Sequence, residues 1–224
     1  MKVDCVWRRY GLAGIILLSA FLAWPHLAAA ETALAGDVVA LKVWAYGTAP
    51  DSSGRRDLFM SDPVYVQDKL ETVLDGALHV QLLDETVLRL GSATQLIVDE
   101  FVYQDSTGSL EFLASVSKGV CRFVTGQATS KTFRVQTPTA SIVARGTVFS
   151  VWVDSAGETI IWVQEGEVDV TSAVDGDSAS VGATEIVKTS TAGGVELNAD
   201  RPADDPGIGD TTRMNRKIRK GPYS

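Results

Sequence analysis

The sequence predicts an all-β protein of short strands arranged as a sandwich or roll, and three observations carry that prediction. Apolar and polar residues alternate over short runs, the period at which side chains share one face of a strand. Turn-forming Gly, Asp, Ser and Pro punctuate these runs at intervals of roughly ten residues. Beyond the first thirty residues, no window of 11 or more carries a convincing 3.6-residue apolar period, so helix content should be low.

The first thirty residues stand apart. Lys2, Arg8 and Arg9 precede an apolar run from Gly11 to Trp24, and Leu27-Ala28-Ala29-Ala30 closes the segment. A basic start, a short apolar run and an A-x-A-like end make a secretory signal over residues 1–30, shorter than a comfortable membrane span. The expectation is export to the periplasm with cleavage after Ala30; the alternative is an inner-membrane anchor formed by an uncleaved signal. Arg8-Arg9 is a weak match to twin-arginine export.

Residues 31–63 read as a strand, DVVALKVWAYG, followed by a surface loop rich in Gly, Ser, Asp and Pro between positions 47 and 63. From 64 to 188 the strand pattern dominates. Leu78, Val80 and Leu82 alternate with His79 and Gln81, Asp84-Glu85 turns the chain, and Leu88 and Leu90 alternate with Val87 and Arg89. Further strands are expected at 95–101, 109–114, 120–124, 133–136, 141–153, 158–164, 167–171 and 184–187. LRLGSATQLIV (88–98) and ASVGATEIV (179–187) echo each other as strand-turn-strand units. Residues 189–224 are expected to be a disordered charged tail, because they hold too little apolar surface to offset the cost of ordering. Within it, an acidic half (Asp200, Asp204, Asp205, Asp210) precedes a basic half (Arg213, Arg216, Lys217, Arg219, Lys220) that suits weak contact with a membrane or an anionic polymer.

Charge and composition narrow the function. Removing residues 1–30 takes away Lys2, Arg8, Arg9 and Asp4 and moves the formal charge from −8 to −10, a poor balance for binding nucleic acid. Cys121 is then the single cysteine and reads as a buried core residue. With His26 inside residues 1–30, His79 is likewise the single histidine beyond them and reads as a strand residue on the polar face. No G-x-S-x-G turn, zinc spacing, calcium loop or phosphate loop is present, so no cofactor and no enzymatic activity are expected. DSAGE at 154 and DGDS at 175 read as hairpin turns. Glu165 and Glu167 are the one obvious carboxylate pair that could share a strand face, with Gly166 between them marking a bend. Trp44, Trp152 and Trp162 fall in strands; Trp152 and Trp162 flank a hairpin turn, suited to cross-strand packing or to a ligand platform.

VQTPTASIVARGTVFSVWVD, residues 135–154, poses a parity problem. In a regular strand Arg145 would share a face with Val143, Thr147, Phe149, Val151 and Val153, which puts a charge on the apolar side. Either the register breaks at Gly146 or Arg145 is held inside.

Three ordered motifs then resemble the FecR domain: T-P-T-A at Thr137, Pro138, Thr139 and Ala140; R-G-T-x-F-x-V at Arg145, Gly146, Thr147, Phe149 and Val151; and E-G-x-V at Glu165, Gly166 and Val168. The resemblance spans roughly 64–188 and implies a periplasmic β-module that receives a signal by binding protein, with these motif residues as structural fixtures. It leaves Arg145 a structural role, forking onto carbonyls or onto Glu165 or Glu167, or a partner contact. The best-known family members control a sigma factor through a cytoplasmic segment. Only ten residues precede the apolar run here, so the expectation is a stand-alone exported copy whose partner is another envelope protein. Its physical mode is expected to be pairing by exposed strand edges. The alternative is an envelope polysaccharide or small-ligand binder using Trp152 or Trp162 with Arg145.

Overall fold

In a computed structural model of the chain, the described residues are 33–126 and 130–202, with the side chains of 130 and 131 left out. Seventeen strands and no helix occur among them. In chain order these are β1 (Leu34–Lys42), β2 (Ala45–Thr48), β3 (Arg56–Asp57), β4 (Pro63–Tyr65), β5 (Lys69–Thr72), β6 (Ala77–Leu82), β7 (Val87–Leu90), β8 (Gln95–Gln104) and β9 (Ser109–Val124). There follow β10 (Ser130–Gln136), β11 (Ala140–Ala144), β12 (Val148–Val153), β13 (Thr159–Glu165), β14 (Glu167–Ser172), β15 (Ser178–Gly182), β16 (Ile186–Thr189) and β17 (Val195–Leu197). The segment expected to be a signal and the basic half of the tail lie outside the described residues.

β9 organises the molecule. Its first part pairs with β8 and β10, and its second part, from Gly119 on, with β7 and β12. Two layers result. The front layer runs β4-β1-β6-β7-β9-β12-β13-β16-β17 and the back layer β3-β2-β5-β8-β9-β10-β11-β14-β15. Every pairing is antiparallel except β9 with β10. The bend has a local cause. Gly119 has φ +91, and a Cβ there would lie 2.5 Å from Thr94 Cα, so only glycine fits. A register shift between Gln95 and Leu96 accompanies it. Inward parity switches in consequence, from Leu110, Phe112, Ala114 and Val116 to Cys121 and Phe123, all buried. The sequence suggests two strands where the chain makes one bent one.

The core between the layers is continuous. Phe112 stacks on Phe133 within the back layer (4.3 Å between ring centroids), and Phe123 on Phe149 within the front layer (4.9 Å). Phe123 meets Phe133 edge-on across the gap at 5.6 Å. Such pairs add about 0.5–1.5 kcal/mol each beyond their burial. Cys121 is fully buried, as expected, and burial pushes its thiol pKa up.

Several boundaries differ from the sequence reading. The 47–63 loop contains β3, and Leu58 within it is fully buried. Its Arg56 is ion-paired to the buried Asp68 and donates to the Pro63 carbonyl at 3.1 Å. β1 lies between β4 and β6, so residues ahead of 64 are part of the same sheet, as is β17 beyond 188. The expected strand 141–153 is two strands in different layers. The echoed units are both layer crossings, β7 to β8 and β15 to β16, and in each the residue two after the glycine takes positive φ: Ala93 at 49 and Thr184 at 72.

Candidate functional site

The structure settles the parity problem at Arg145. β11 ends in the back layer at Ala144 and β12 begins in the front layer at Val148, so Arg145-Gly146-Thr147 carries the chain from one layer to the other. Gly146 sits at φ +63. The register breaks there, and Arg145 is exposed rather than held inside. Among the described residues no ion pair joins it to Glu165 or Glu167.

The R-G-T and E-G motifs meet in space. Gly166, at φ +82, alone links β13 to β14, and a Cβ on it would lie 2.7 Å from Thr147 Cγ2 and 3.0 Å from the Gly146 carbonyl oxygen. On the other side, the Thr147 carbonyl accepts from the Thr125 amide (3.2 Å) and hydroxyl (3.0 Å). Gly126 donates to Thr86 Oγ1 at 2.9 Å, and Thr86 donates in turn to the buried Asp84 carboxylate. These crossings form a column of tight corners along one end of the roll. Glu165 and Glu167 stand on it exposed, Glu167 accepting from Ser180, rather than facing each other across a cleft.

T-P-T-A does the corresponding work at the other end of β11. Thr139 is 2 % exposed, and its hydroxyl lies 3.0 Å from the Gly157 carbonyl and 2.9 Å from each of Thr159 Oγ1 and Thr189 Oγ1. Thr159 Oγ1 donates on to Thr137 Oγ1 at 2.8 Å. Pro138 packs over Gly157, in a hairpin turn whose Asp154 carboxylate accepts the Ala156 and Glu158 amides. Phe149 is in the core. Pro138, Gly146, Thr147, Phe149 and Gly166 are thus placed where the chain turns or packs.

Recognition chemistry gathers elsewhere, on the outer face of the front layer. Cross-strand register aligns His79, Arg89, Arg122, Ser150 and Trp162 in one row. The neighbouring row is Val120, Trp152, Ile160 and Lys188. Trp152 lies opposite Ile160 and Trp162 opposite Ser150, so the two indoles are diagonal neighbours rather than a direct pair, and both are half-buried. Trp152, Ile160, Val120 and Lys188 line an open cavity of about 360 Å³. Trp152 Nε1, and Arg122 Nε in the adjacent row, are buried without a hydrogen-bond partner.

Arg145 precedes the start of β12, whereas Trp152 is near its far end, about 13 Å along the strand from Val148. The platform envisaged from Trp152 or Trp162 with Arg145 is not one site. Lys188 lines the cavity with Trp152 and the Arg201 guanidinium lies 3.9 Å from the Trp162 ring centroid, while Arg89 and Arg122, directly opposite one another, share the row of Trp162. Burial and then the Arg122 charge lower the Arg89 pKa. His79, only 4 % exposed on this outer face, is held down to about 4 by burial and then by Arg89. Sequence reasoning missed this row because register between distant strands sets it. The available signal was an arginine between core residues in both β7 and β9.

A further surface is the β15 edge. β15 bonds to β14 on one side, and its other edge pairs with no strand among the described residues. Ser178-Ala179-Ser180-Val181-Gly182 carries neither proline nor lysine, the usual guards of an edge. Beside it Ser180 donates to Asp169 at 3.0 Å and to Glu167, an acidic flank.

Among the described residues no cluster of His, Cys, Asp and Glu could hold a metal ion, and the surfaces above are suited to contact. Fold and site together define a two-layer β-module. Residues 68–169 match the family described as FecR protein. Two crystal structures of candidate anti-sigma factors from Parabacteroides distasonis ATCC 8503 are similar to the chain. One is 20 % identical with a TM-score of 0.48, the other 18 % identical with a TM-score of 0.47. Each match covers 58 % of this chain and 58 % of the other, so the chain spans less than two thirds of their length. No curated protein matches the chain.

Proposed function

We propose that this protein is a non-enzymatic FecR module, exported to the periplasm by residues 1–30, that binds an envelope protein partner in signalling. The observation that carries the mode of binding is the β15 edge: five residues, unguarded, next to the Glu167 and Asp169 carboxylates. A partner strand bearing lysine or arginine on its outward face extends the back layer there. Main-chain hydrogen bonds supply affinity and the acidic flank selects the partner.

The test is in-cell crosslinking of the full-length, C-terminally tagged chain, with mass spectrometry of the captured material and fractionation of the cells. One dominant envelope protein should be captured by the parent and lost with S178K/S180K, which places two guarding lysines on exposed positions of the edge. No specific capture, or capture indifferent to the lysines, overturns the reading; recovery from the cytoplasm overturns the export.

A second reading, binding of a small ligand, has one observation in its favour: the cavity beside Trp152, whose indole N–H is buried without a partner. A ligand there should quench tryptophan fluorescence with saturation, and a screen of envelope sugars without any quenching removes this reading.

A further inference from the structure

The cavity on the outer face of the front layer has apolar walls and a charged rim. Val120 on β9, Trp152 on β12, Ile160 on β13 and Pro202 supply the walls of its roughly 360 Å³. Asp154, Glu158 and Lys188 also line it. Their place follows from the strands. Asp154 ends β12 two residues after Trp152, and Glu158 stands two before Ile160, on the same face by alternation. Lys188 lies opposite Ile160, and Glu196 on β17 lies opposite Lys188.

The charges at this rim do not balance. Lys188 donates to the Glu158 carboxylate at 2.7 Å, and both side chains are about one third exposed. The bond and charge of Glu158, and then the charges of Glu196 and Asp154, hold the Lys188 ammonium above its ordinary range. Three carboxylates thus gather around one ammonium, an excess of two negative charges beside an apolar hollow. A sugar would leave hydroxyls unsatisfied against Val120, Ile160 and Pro202. A carboxylate would meet the excess negative charge. A lysine or arginine side chain suits both parts, because its methylene stem lies on apolar surface while its cation stays at the wet edge. The same face already holds one such contact: the Arg201 guanidinium lies 3.9 Å from the Trp162 ring centroid.

We propose that the Trp152 cavity is a socket for a lysine or arginine side chain of a partner polypeptide, with the stem against Trp152, Val120 and Ile160 and the cation among Asp154, Glu158 and Glu196. The socket rests on the envelope partner proposed above and gives it a second basic contact. It is separate from the β15 edge, which belongs to the back layer.

The test titrates the full exported chain with hexylamine, hexanol and hexanoate, one stem with three charges, and reads tryptophan emission. Hexylamine should saturate with a Kd about tenfold below that of hexanol, the scale of two solvent-screened charge pairs, and hexanoate should bind more weakly than either. D154N/E158Q leaves Lys188 and Glu196 in balance and keeps the Asp154 Oδ1 acceptor of the hairpin turn. It should bring hexylamine to the hexanol value and leave hexanol unchanged. Ile160→Trp, which fills the cavity, should abolish binding of both and lose the partner from the crosslinking capture. Hexylamine bound no better than hexanol, hexylamine binding indifferent to D154N/E158Q, or a partner still captured by Ile160→Trp overturns the inference. The hexyl series and D154N/E158Q decide even if Ile160→Trp fails to fold. The two proposals fail separately: capture lost with S178K/S180K beside charge-blind hexyl binding removes the socket alone, whereas charge-selective binding with nothing captured removes the partner and with it the occupant.

Discussion

Gly146 and Gly166 both occupy the left-handed region, but only one of them is crowded, and that difference can be measured. At Gly146 (φ +63) a Cβ would meet nothing within 4 Å; at Gly166 (φ +82) it would lie 2.7 Å from Thr147 Cγ2 and 3.0 Å from the Gly146 carbonyl oxygen. Gly146→Ala therefore costs the backbone term alone, about 1–2 kcal/mol. Gly166→Ala adds an overpacking term of about 1–3 kcal/mol, because Thr147, whose own carbonyl accepts both Thr125 bonds, is held against withdrawing. Asparagine tolerates the left-handed region, so Gly146→Asn should be milder than Gly146→Ala, whereas Gly166→Asn should not be milder than Gly166→Ala. Removing the Thr147 methyl should relieve part of the clash, so T147S/G166A should be more stable than the two single changes predict. Urea denaturation of the exported chain, with all variants at a common m-value, measures this. Equal costs at the two glycines within about 0.5 kcal/mol, or no coupling between Thr147 and Gly166, would refute the account of the two motifs as one stacked corner.

Three other outcomes are expected. Thr139→Val and Thr147→Val replace equally buried hydroxyls with opposite results: Thr139 loses a bonded network and should cost about 1–3 kcal/mol, while Thr147 Oγ1 has no partner, so its loss should be neutral or stabilising by urea denaturation. His79, held neutral down to about pH 4 against an ordinary value of 6.5, is protonated in the unfolded chain first. Stability should thus be full above pH 6.5 and fall between 6.5 and 4 by up to about 3 kcal/mol, and His79→Gln should flatten that part of the pH profile. Arg145→Ala should change the melting temperature by no more than about 2 °C, because the side chain is exposed and makes no ion pair among the described residues; unfolding of the variant would restore a structural role.

The all-β class was legible because alternation is local: the inward set Leu78, Val80 and Leu82 is the set the core buries. The corners were half legible. Parity at Arg145 announced a break, but not that the break moves the chain between layers, since nothing local distinguishes a bulge from a crossing. β9 read as two strands because Lys118-Gly119 looks like a turn until Thr94 is brought against it. The Arg89–Arg122 row was illegible, because residues 33 apart in sequence become neighbours only through strand register. Exposed Arg145, by contrast, drew attention through a motif that its surroundings explain without a ligand.

β9 has one more consequence. Among the described residues, strands β1 to β8 pair only among themselves and with β9, and strands β10 to β17 likewise, so β9 is the strand that joins the halves of the sheet. A nick in the turn at 105–108 would leave one fragment with the bare edges of β7 and β8, and the other with a β9 open on the side that fits them. The two pieces are complementary at a single seam, and coexpression should return a noncovalent whole that neither piece forms alone.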